Sequence, residues 1–186
     1  FDDPLMGWQQ PKSDKHNLNT ESGIAVPVQF SKKGNNHNYC RITVKDDKGY
    51  EIINEGFRGM GIKSGAKYNL TLKASKEAGN ISKIIIQFIG KDNKVLAETS
   101  IVPTASDWKE YTTQLTPTAT EAKAKLRLTF EGTGTIDLDN ISLFPQDTWN
   151  NRKNGLRKDL VQLLYDMKPG FLRFPGGCIV EGRTLA

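Results

Sequence analysis

Most of the chain alternates between apolar and polar residues, and this pattern limits the folds that it can form. Residues 66–74 (AKYNLTLKA) carry an apolar side chain at every second position, and residues 40–45 and 124–130 repeat the pattern. Alternation with period two is typical of antiparallel strands that have one buried face and one solvated face. About nine such segments between residues 23 and 144 predict a mainly β fold, an antiparallel β-sandwich of jelly-roll type.

Turn residues separate these segments. Glycine, asparagine, aspartate and proline favour the backbone conformations that tight turns require. The remaining predicted strands are 23–30, 51–57, 81–89, 94–101, 108–114 and 135–144. The predicted turns between strands include Lys48-Gly49, Ser64-Gly65, Gly79-Asn80, Asp92-Asn93 and Gly132-Thr133-Gly134.

The last predicted strand, 135–144, changes phase within its length. Ile136 and Leu138 share one face, whereas Ile141 and Leu143 fall on the opposite one. A shift of one residue reverses the direction in which strand side chains point. We therefore predict a β-bulge or bend at Asp139-Asn140.

After Pro145 the pattern changes to helical spacing. Apolar residues from Leu156 to Met167 recur every three or four positions, with Asn154 as the predicted N-cap and Pro169-Gly170 as the stop. A short apolar run, residues 171–174, follows and predicts a strand. One helix–strand step is typical of a parallel α/β fold but cannot complete a sheet alone. We therefore predict two domains, 1–146 and 147–186, the second being a partial segment.

Composition excludes several classes of protein. The chain has 186 residues and a formal net charge of +5, and residues 147–186 contribute seven basic and four acidic residues to it. Nucleic-acid binders usually show a clustered basic face or a recognisable motif, and the chain has neither, so we predict no nucleic-acid partner. No apolar run approaches the roughly 20 residues of a membrane span. Cys40 and Cys178 match no metal-ligand spacing.

The C-terminal segment carries a specific resemblance. Asp147–Arg152, Gly155–Leu160 and Phe171–Gly182 (FLRFPGGCIVEG) closely resemble the glycoside hydrolase family 51 α-L-arabinofuranosidases, over about 35 consecutive residues in the family's order. Residues 1–146 resemble the galactose-binding-domain-like jelly roll, a carbohydrate-binding-module type that occurs in these enzymes. Trp8, residues 61–68, residues 108–111 and residues 135–143 carry that second similarity.

The resemblance implies a function for the parent protein. It implies that residues 147–186 are one helix–strand step of a catalytic (β/α)₈ barrel whose remainder is the partner of this chain. The family removes arabinofuranosyl groups from plant polysaccharides, such as arabinan, by a retaining mechanism with two catalytic glutamates. Both glutamates lie on later barrel strands, so we predict no catalytic residue in this chain and no hydrolysis by it alone.

Four residues near the C-terminus are the candidate substrate-binding residues. The resemblance implies that Arg173 lines the arabinofuranose pocket, at the end of a barrel strand where functional side chains lie. An arginine in an apolar strand otherwise needs a structural ion pair, which is the alternative interpretation. Gly176 and Gly177 allow the backbone to approach a ligand. Cys178 follows at a position where the family often places a sugar-contacting residue.

The predicted jelly roll offers its own candidates. Trp8 and Trp108 could act as platforms for sugar rings, although packing in the core is the alternative for both. The polar loop 32–38 has amides suited to sugar hydroxyls, or is an ordinary solvated turn. The resemblance also implies a structural calcium ion, for which oxygen ligands from Asp139 and from Asp2 or Asp3 are suitable. No other cofactor is expected.

Two alternatives to the enzyme fragment stay open. The chain could be a stand-alone, non-catalytic carbohydrate-binding module, or a structural spacer that binds no sugar. A polysaccharide ligand containing arabinose favours an extracytoplasmic location, either periplasmic or secreted. The sequence starts without Met, and we expect it to be a piece of a longer protein.

Overall fold

The structure is a computed structural model that describes residues 7–9, 18–29, 38–171 and 173. The chain divides into two compact units, Phe1–Gln146, called the β unit below, and Asp147–Ala186, called the C-terminal unit. The described residues contain no helix with the length and apolar character needed to cross a membrane.

Nine antiparallel strands build the described part of the β unit. Alternating apolar residues on these strands form the inner face, as the sequence pattern predicts. The predicted antiparallel β-sandwich of jelly-roll type is confirmed. The strands are β1 (Trp8–Gln9), β2 (Gly23–Gln29), β3 (Asn38–Val44), β4 (Tyr50–Asn54), β5 (Met60–Ile62), β6 (Tyr68–Ile89), β7 (Val95–Ile101), β8 (Lys109–Leu115) and β9 (Glu121–Pro145).

Two long strands, β6 and β9, belong to both halves of a curled sheet. They pair with each other along almost their whole length. Their first and last parts have different neighbours: the later half of β9 pairs with β3, whereas its earlier half pairs with β4 and β5. At 22 and 25 residues, both strands far exceed the usual roughly 3–10 residues. The curled sheet therefore forms two layers without a break in either strand.

The predicted turns at Gly79-Asn80 and at Gly132–Gly134 are wrong. Each of these segments lies within one continuous strand, and the two face each other, with Gly79 opposite Gly134 and Asn80 opposite Thr133. Gly79, Gly132 and Gly134 all have positive φ, which glycine adopts without steric cost. Register shifts in β6 occur on both sides of this point. The glycines therefore bend two paired strands together instead of reversing either one.

The core lies between the two halves of the sheet. Tyr50, Phe88 and Phe130 are its largest fully buried side chains, and burying each aliphatic or aromatic side chain of this kind contributes about 1.5–3 kcal/mol. The hydroxyl of Tyr50 donates to the carbonyl oxygen of Leu18 at 2.6 Å. Tyr68 packs its ring edge-on against Phe88, with centroids 5.4 Å apart.

The C-terminal unit contains one helix, α1 (Lys158–Asp166), within its described residues. Asn154 is not its N-cap, so that prediction is wrong: Asn154 has φ +54 in a turn, and Arg157 occupies the cap position. The helix ends at Asp166, with Met167 as its C-cap, before the predicted stop at Pro169. Phe171 and Arg173 lie in irregular backbone, and the other residues of the predicted strand 171–174 lie outside the described residues.

Candidate functional site

A pocket of about 230 Å³ opens where β3 begins and where β9 carries its irregular segment. We call it the Trp8 pocket. Its floor is apolar, and its walls carry three asparagines, one aspartate and the aromatic residues Trp8 and Tyr39. Strands β1, β2, β3, β4 and β9 supply these residues, together with Leu18 from the segment before β2. The lining residues are Trp8, Leu18, Ala25, Asn38, Tyr39, Cys40, Ile52, Asn54, Leu138, Asp139, Asn140 and Ile141.

The irregular segment of β9 is the bulge that the sequence predicts. The pairing of β9 with β6 shifts register between Thr71 and Lys73, opposite Ser142 and Asp139, and Asn140 has φ +51. The backbone N–H of Asn140 donates to Oδ1 of Asp139 at 2.7 Å. The bulge interrupts the alternation of side chains and brings Asp139, Asn140 and Ile141 together to the pocket.

Trp8 lies in this pocket, as one of the two predicted platforms. It pairs with Asn54 across β1 and β4, is half-buried, and packs one part of its side chain against the core. Asn54 is held in place because its Oδ1 accepts a hydrogen bond from the N–H of Gly56 at 2.8 Å. An indole with one buried side and neighbouring amides can present a fixed apolar surface beside hydrogen-bonding groups.

Trp108, the other predicted platform, lies outside the pocket lining but contacts it through Tyr39. The two rings meet edge-on, with centroids 5.5 Å apart and an interplanar angle of 74°. Trp108 remains 44% exposed, which is high for so large an apolar side chain. The structure therefore brings both predicted tryptophans to one end of the β unit through Tyr39, while their sugar-binding roles remain predictions.

An ion pair supports this aromatic contact. Arg41 and Asp137 lie directly opposite each other on β3 and β9, and the guanidinium donates to both carboxylate oxygens at 2.8 and 2.7 Å. The Asp137 side chain is 3% exposed, and Glu77 approaches Arg41 at 3.4 Å. The hydrogen bonds to Asp137 raise the pKa of the Arg41 guanidinium above its already high value. Arg41 also lies over the Tyr39 ring, 5.7 Å from its centroid.

Neither residue of this pair is recognisable as a site residue from the sequence alone. Arg41 and Asp137 each occupy a polar position between two inward-facing residues, which is the expected pattern for a solvated face. Their contact follows only from the register of β3 against β9, which a single sequence does not give. Once β3 is known to pair with β9, a guanidinium and a carboxylate at directly opposite positions would indicate the contact.

Cys40 lines the pocket but lacks the chemistry of a nucleophile. Burial, together with the nearby charge of Asp137, raises the pKa of its thiol to about 12. The thiolate is the reactive form of cysteine, so the thiol is unreactive near neutral pH. Cys40 therefore contributes only a small, weakly polar side chain to the pocket wall.

The calcium prediction finds one of its ligands in the described residues. Asp139 lies on the pocket wall, and Asp2 and Asp3 lie outside the described residues. No cluster of three or more histidine, cysteine or acidic residues suited to a metal occurs in the described parts of the chain. One carboxylate does not satisfy the six to eight oxygen ligands that calcium takes, so calcium at Asp139 stays a prediction.

The C-terminal unit shows little of the predicted substrate site. Arg173 is exposed, and Gly176, Gly177 and Cys178 lie outside the described residues. The helix α1 has no buried residue, and its apolar side is largely exposed. Trp149 contacts Tyr165 with centroids 5.9 Å apart. Among the described residues of this unit, the exposed large apolar ones are Leu156, Leu160, Leu163, Leu164, Tyr165, Met167 and Phe171.

Comparison with known proteins finds a family model and several similar proteins. Residues 54–145 match the family described as carbohydrate binding module (family 6). Alpha-L-arabinofuranosidase 1 of Arabidopsis thaliana is 37% identical over 141 residues, which are 74% of this chain and 20% of the relative. The arabinose-bound α-L-arabinofuranosidase MgGH51 superposes with a TM-score of 0.78 and 27% identity, over 97% of this chain and 29% of that one. The resemblance to family 51 α-L-arabinofuranosidases is confirmed.

Another curated relative matches a similar share of this chain. The extracellular exo-α-L-arabinofuranosidase of Streptomyces chartreusis is 33% identical over 148 residues, which are 78% of this chain and 17% of that protein. The segment thus spans about a fifth or less of the length of these curated relatives. The CBM22-1–GH10 modules of Clostridium thermocellum xylanase 10B share the fold of the β unit, with a TM-score of 0.51 and 14% identity over 76% of this chain.

Proposed function

We propose that the β unit is an accessory carbohydrate-binding domain of an α-L-arabinofuranosidase, and that the Trp8 pocket holds one sugar ring of an arabinose-containing plant polysaccharide. The composition of the pocket carries this proposal: one indole and three amides line a cavity of about 230 Å³ with an apolar floor. Sugar rings combine apolar C–H faces with hydroxyls, and this lining offers a partner for each.

The size of the pocket supports a single ring as ligand. Its volume is below the roughly 300–1,000 Å³ typical of pockets for drug-sized molecules. The amides of Asn38, Asn54 and Asn140 each provide two N–H donors and one carbonyl acceptor. A hydroxyl can donate and accept at once, so amides suit it better than a fixed charge does.

The C-terminal unit supports the enzymatic part of the proposal. Its exposed apolar helix face needs a partner, and the remainder of the catalytic barrel is the partner that the family implies. The parent protein would then remove arabinofuranosyl groups by a retaining double displacement, with both catalytic carboxylates outside this chain. A relative named as extracellular supports an extracytoplasmic location for the parent.

Calorimetry with arabinoxylan and arabinan oligosaccharides tests the binding function. We expect Trp8→Ala to lower the affinity about ten-fold, which corresponds to about 1.4 kcal/mol of lost contact. Trp149→Ala is the matched control, because Trp149 lies in the C-terminal unit and contacts Tyr165 there. Circular dichroism verifies that both variants retain the fold. If neither oligosaccharide binds the unmodified chain, the proposal is wrong and the structural spacer is favoured.

A second assay tests the enzymatic assignment. The chain alone should release no aryl leaving group from an aryl α-L-arabinofuranoside, because the glutamate pair required for double displacement is absent from it. Turnover above the buffer rate would contradict this prediction.

A further inference from the structure

The contact between Tyr39 and Trp108 extends the Trp8 pocket onto the outer surface of the β unit. Tyr39 belongs to the pocket lining, and its ring meets Trp108 edge-on at 5.5 Å. Trp108 is 44% exposed and lies outside the lining. The two rings therefore form an aromatic surface that begins at the pocket wall and ends in solvent; we call it the Tyr39–Trp108 platform.

The Tyr39 half of the platform is fixed by the ion pair beneath it. Arg41 lies over the Tyr39 ring and donates from Nη2 to its hydroxyl at 3.4 Å. The guanidinium is itself held by two hydrogen bonds to the buried Asp137. A side chain held in this way loses little conformational entropy when a ligand binds, which favours affinity.

The Trp108 half is fixed by the loop that precedes it. The Tyr111 hydroxyl accepts hydrogen bonds from the backbone N–H groups of Thr104 at 2.9 Å and Ala105 at 3.3 Å. The Ser75 hydroxyl donates to the carbonyl oxygen of Ser106 at 2.6 Å. Trp108 is therefore an exposed indole on a well-anchored loop, and exposed apolar surface on a rigid support is typical of a binding site.

We propose that the Tyr39–Trp108 platform is a second subsite, so that the ligand is an oligosaccharide whose terminal sugar enters the Trp8 pocket while the units that carry it cross the platform. This inference rests on the proposed sugar-binding function. The pocket, at about 230 Å³, has room for one sugar ring against the buried side chains of Leu18, Ile52 and Leu138, so a chain enters it by its end. The platform is open to solvent, so a chain can continue across it.

Two kinds of ligand share this chemistry: an arabinofuranosyl side group on a longer main chain, and the free end of a linear arabinan. The platform suits both, because stacking on an aromatic ring requires only a sugar face. Comparing an arabinose-substituted xylo-oligosaccharide with a linear arabino-oligosaccharide distinguishes the two sources. Methyl α-L-arabinofuranoside serves as the ligand that fills the pocket alone.

Amide chemical-shift titration of the full chain labelled with ¹⁵N tests the proposal. We expect methyl α-L-arabinofuranoside to shift amides of the pocket lining, such as those of Trp8, Asn54 and residues 38–40 and 139–141, and to leave residues 107–111 unshifted. We expect at least one of the two longer ligands to shift residues 107–111 as well. Longer ligands that shift only the pocket amides would overturn the second subsite and leave the pocket assignment intact.

Two substitutions separate the subsites energetically. Trp108→Ala should weaken binding of the longer ligand about five- to ten-fold and leave the affinity for methyl α-L-arabinofuranoside unchanged, while Trp108→Phe retains most of the affinity. Trp8→Ala should weaken binding of both ligands. A longer ligand that is weakened by Trp8→Ala but not by Trp108→Ala refutes the second subsite. If neither substitution alters binding, the proposed function itself fails.

Discussion

Gly79, in the paired bend of β6 and β9, is one of several glycines whose substitution tests that bend directly. Gly79 has φ +69, and a Cβ built on it would lie 2.6 Å from Cα of Gly134 and 2.6 Å from the carbonyl oxygen of Thr133. Both atoms belong to the backbone of the facing strand, and real Cβ contacts are not observed below 3.0 Å. Gly79→Ala must therefore push the two strands apart or change the local backbone.

Two other glycines separate the two contributions to the free-energy cost of Gly79→Ala, which are backbone strain and steric overlap. Gly65 has φ +74 with nothing within 4 Å of its built Cβ, so Gly65→Ala costs only the strain of a left-handed alanine, about 1–2 kcal/mol. Gly61 has open space and no positive φ, so Gly61→Ala should be neutral or stabilise by up to about 1 kcal/mol. Gly79→Ala adds about 1–3 kcal/mol of steric overlap to the strain, giving about 2–5 kcal/mol.

Urea unfolding of the full chain, followed by tryptophan fluorescence, measures the three differences. For a chain of this size, each kcal/mol lowers the melting midpoint by about 2–4 °C, so thermal scans should give the same order: Gly61→Ala, then Gly65→Ala, then Gly79→Ala. If Gly79→Ala costs no more than Gly65→Ala, the facing strands do not meet closely there. The paired bend would then be wrong.

Three further predictions concern the surroundings of the pocket. Arg41→Met should lower the free energy of unfolding in urea by about 1–4 kcal/mol, because it leaves a buried carboxylate unpaired. Adding Asp137→Leu should recover most of the loss, and no recovery would contradict a stabilising role of the ion pair. In Cys178→Ser, Cys40 should react with iodoacetamide at pH 8 about 100-fold or more slowly in the folded chain than in urea, and equal rates would refute its raised pKa. Added calcium should raise the melting midpoint, and Asp139→Asn should remove that rise; an identical rise in both proteins excludes Asp139 as a ligand.

Alternation in the sequence predicts the strands well but misses the bends between them. A Gly-Asn pair after an apolar run has the composition of a turn, and Gly79-Asn80 fits it. Only the pairing of β6 with β9 shows that the same glycines face Thr133 and Gly134 across two strands. The bulge at Asp139-Asn140 was predictable because it reverses the phase of its own strand, a signal that one strand carries alone.

The sequence predicts individual residues of the pocket but not their arrangement. Trp8 and Asp139 are each recognisable by residue type, but nothing in the sequence brings them together with Asn54. That meeting depends on β1 pairing with β4 and on the bulge in β9, two tertiary features that a single strand does not encode. Trp108 likewise joins the site through Tyr39, from a loop 69 positions later in the chain.

The two units differ in how far each can stabilise itself. Every residue of the described apolar core lies in the β unit, between Leu18 and Leu138. The helix α1 has nine residues and buries none of them, whereas isolated helices shorter than roughly 12–15 residues are marginal in water. Its apolar face is therefore a surface that would gain stability if a partner covered it. Within the described residues, the β unit supplies the apolar core and α1 adds no buried side chain to it.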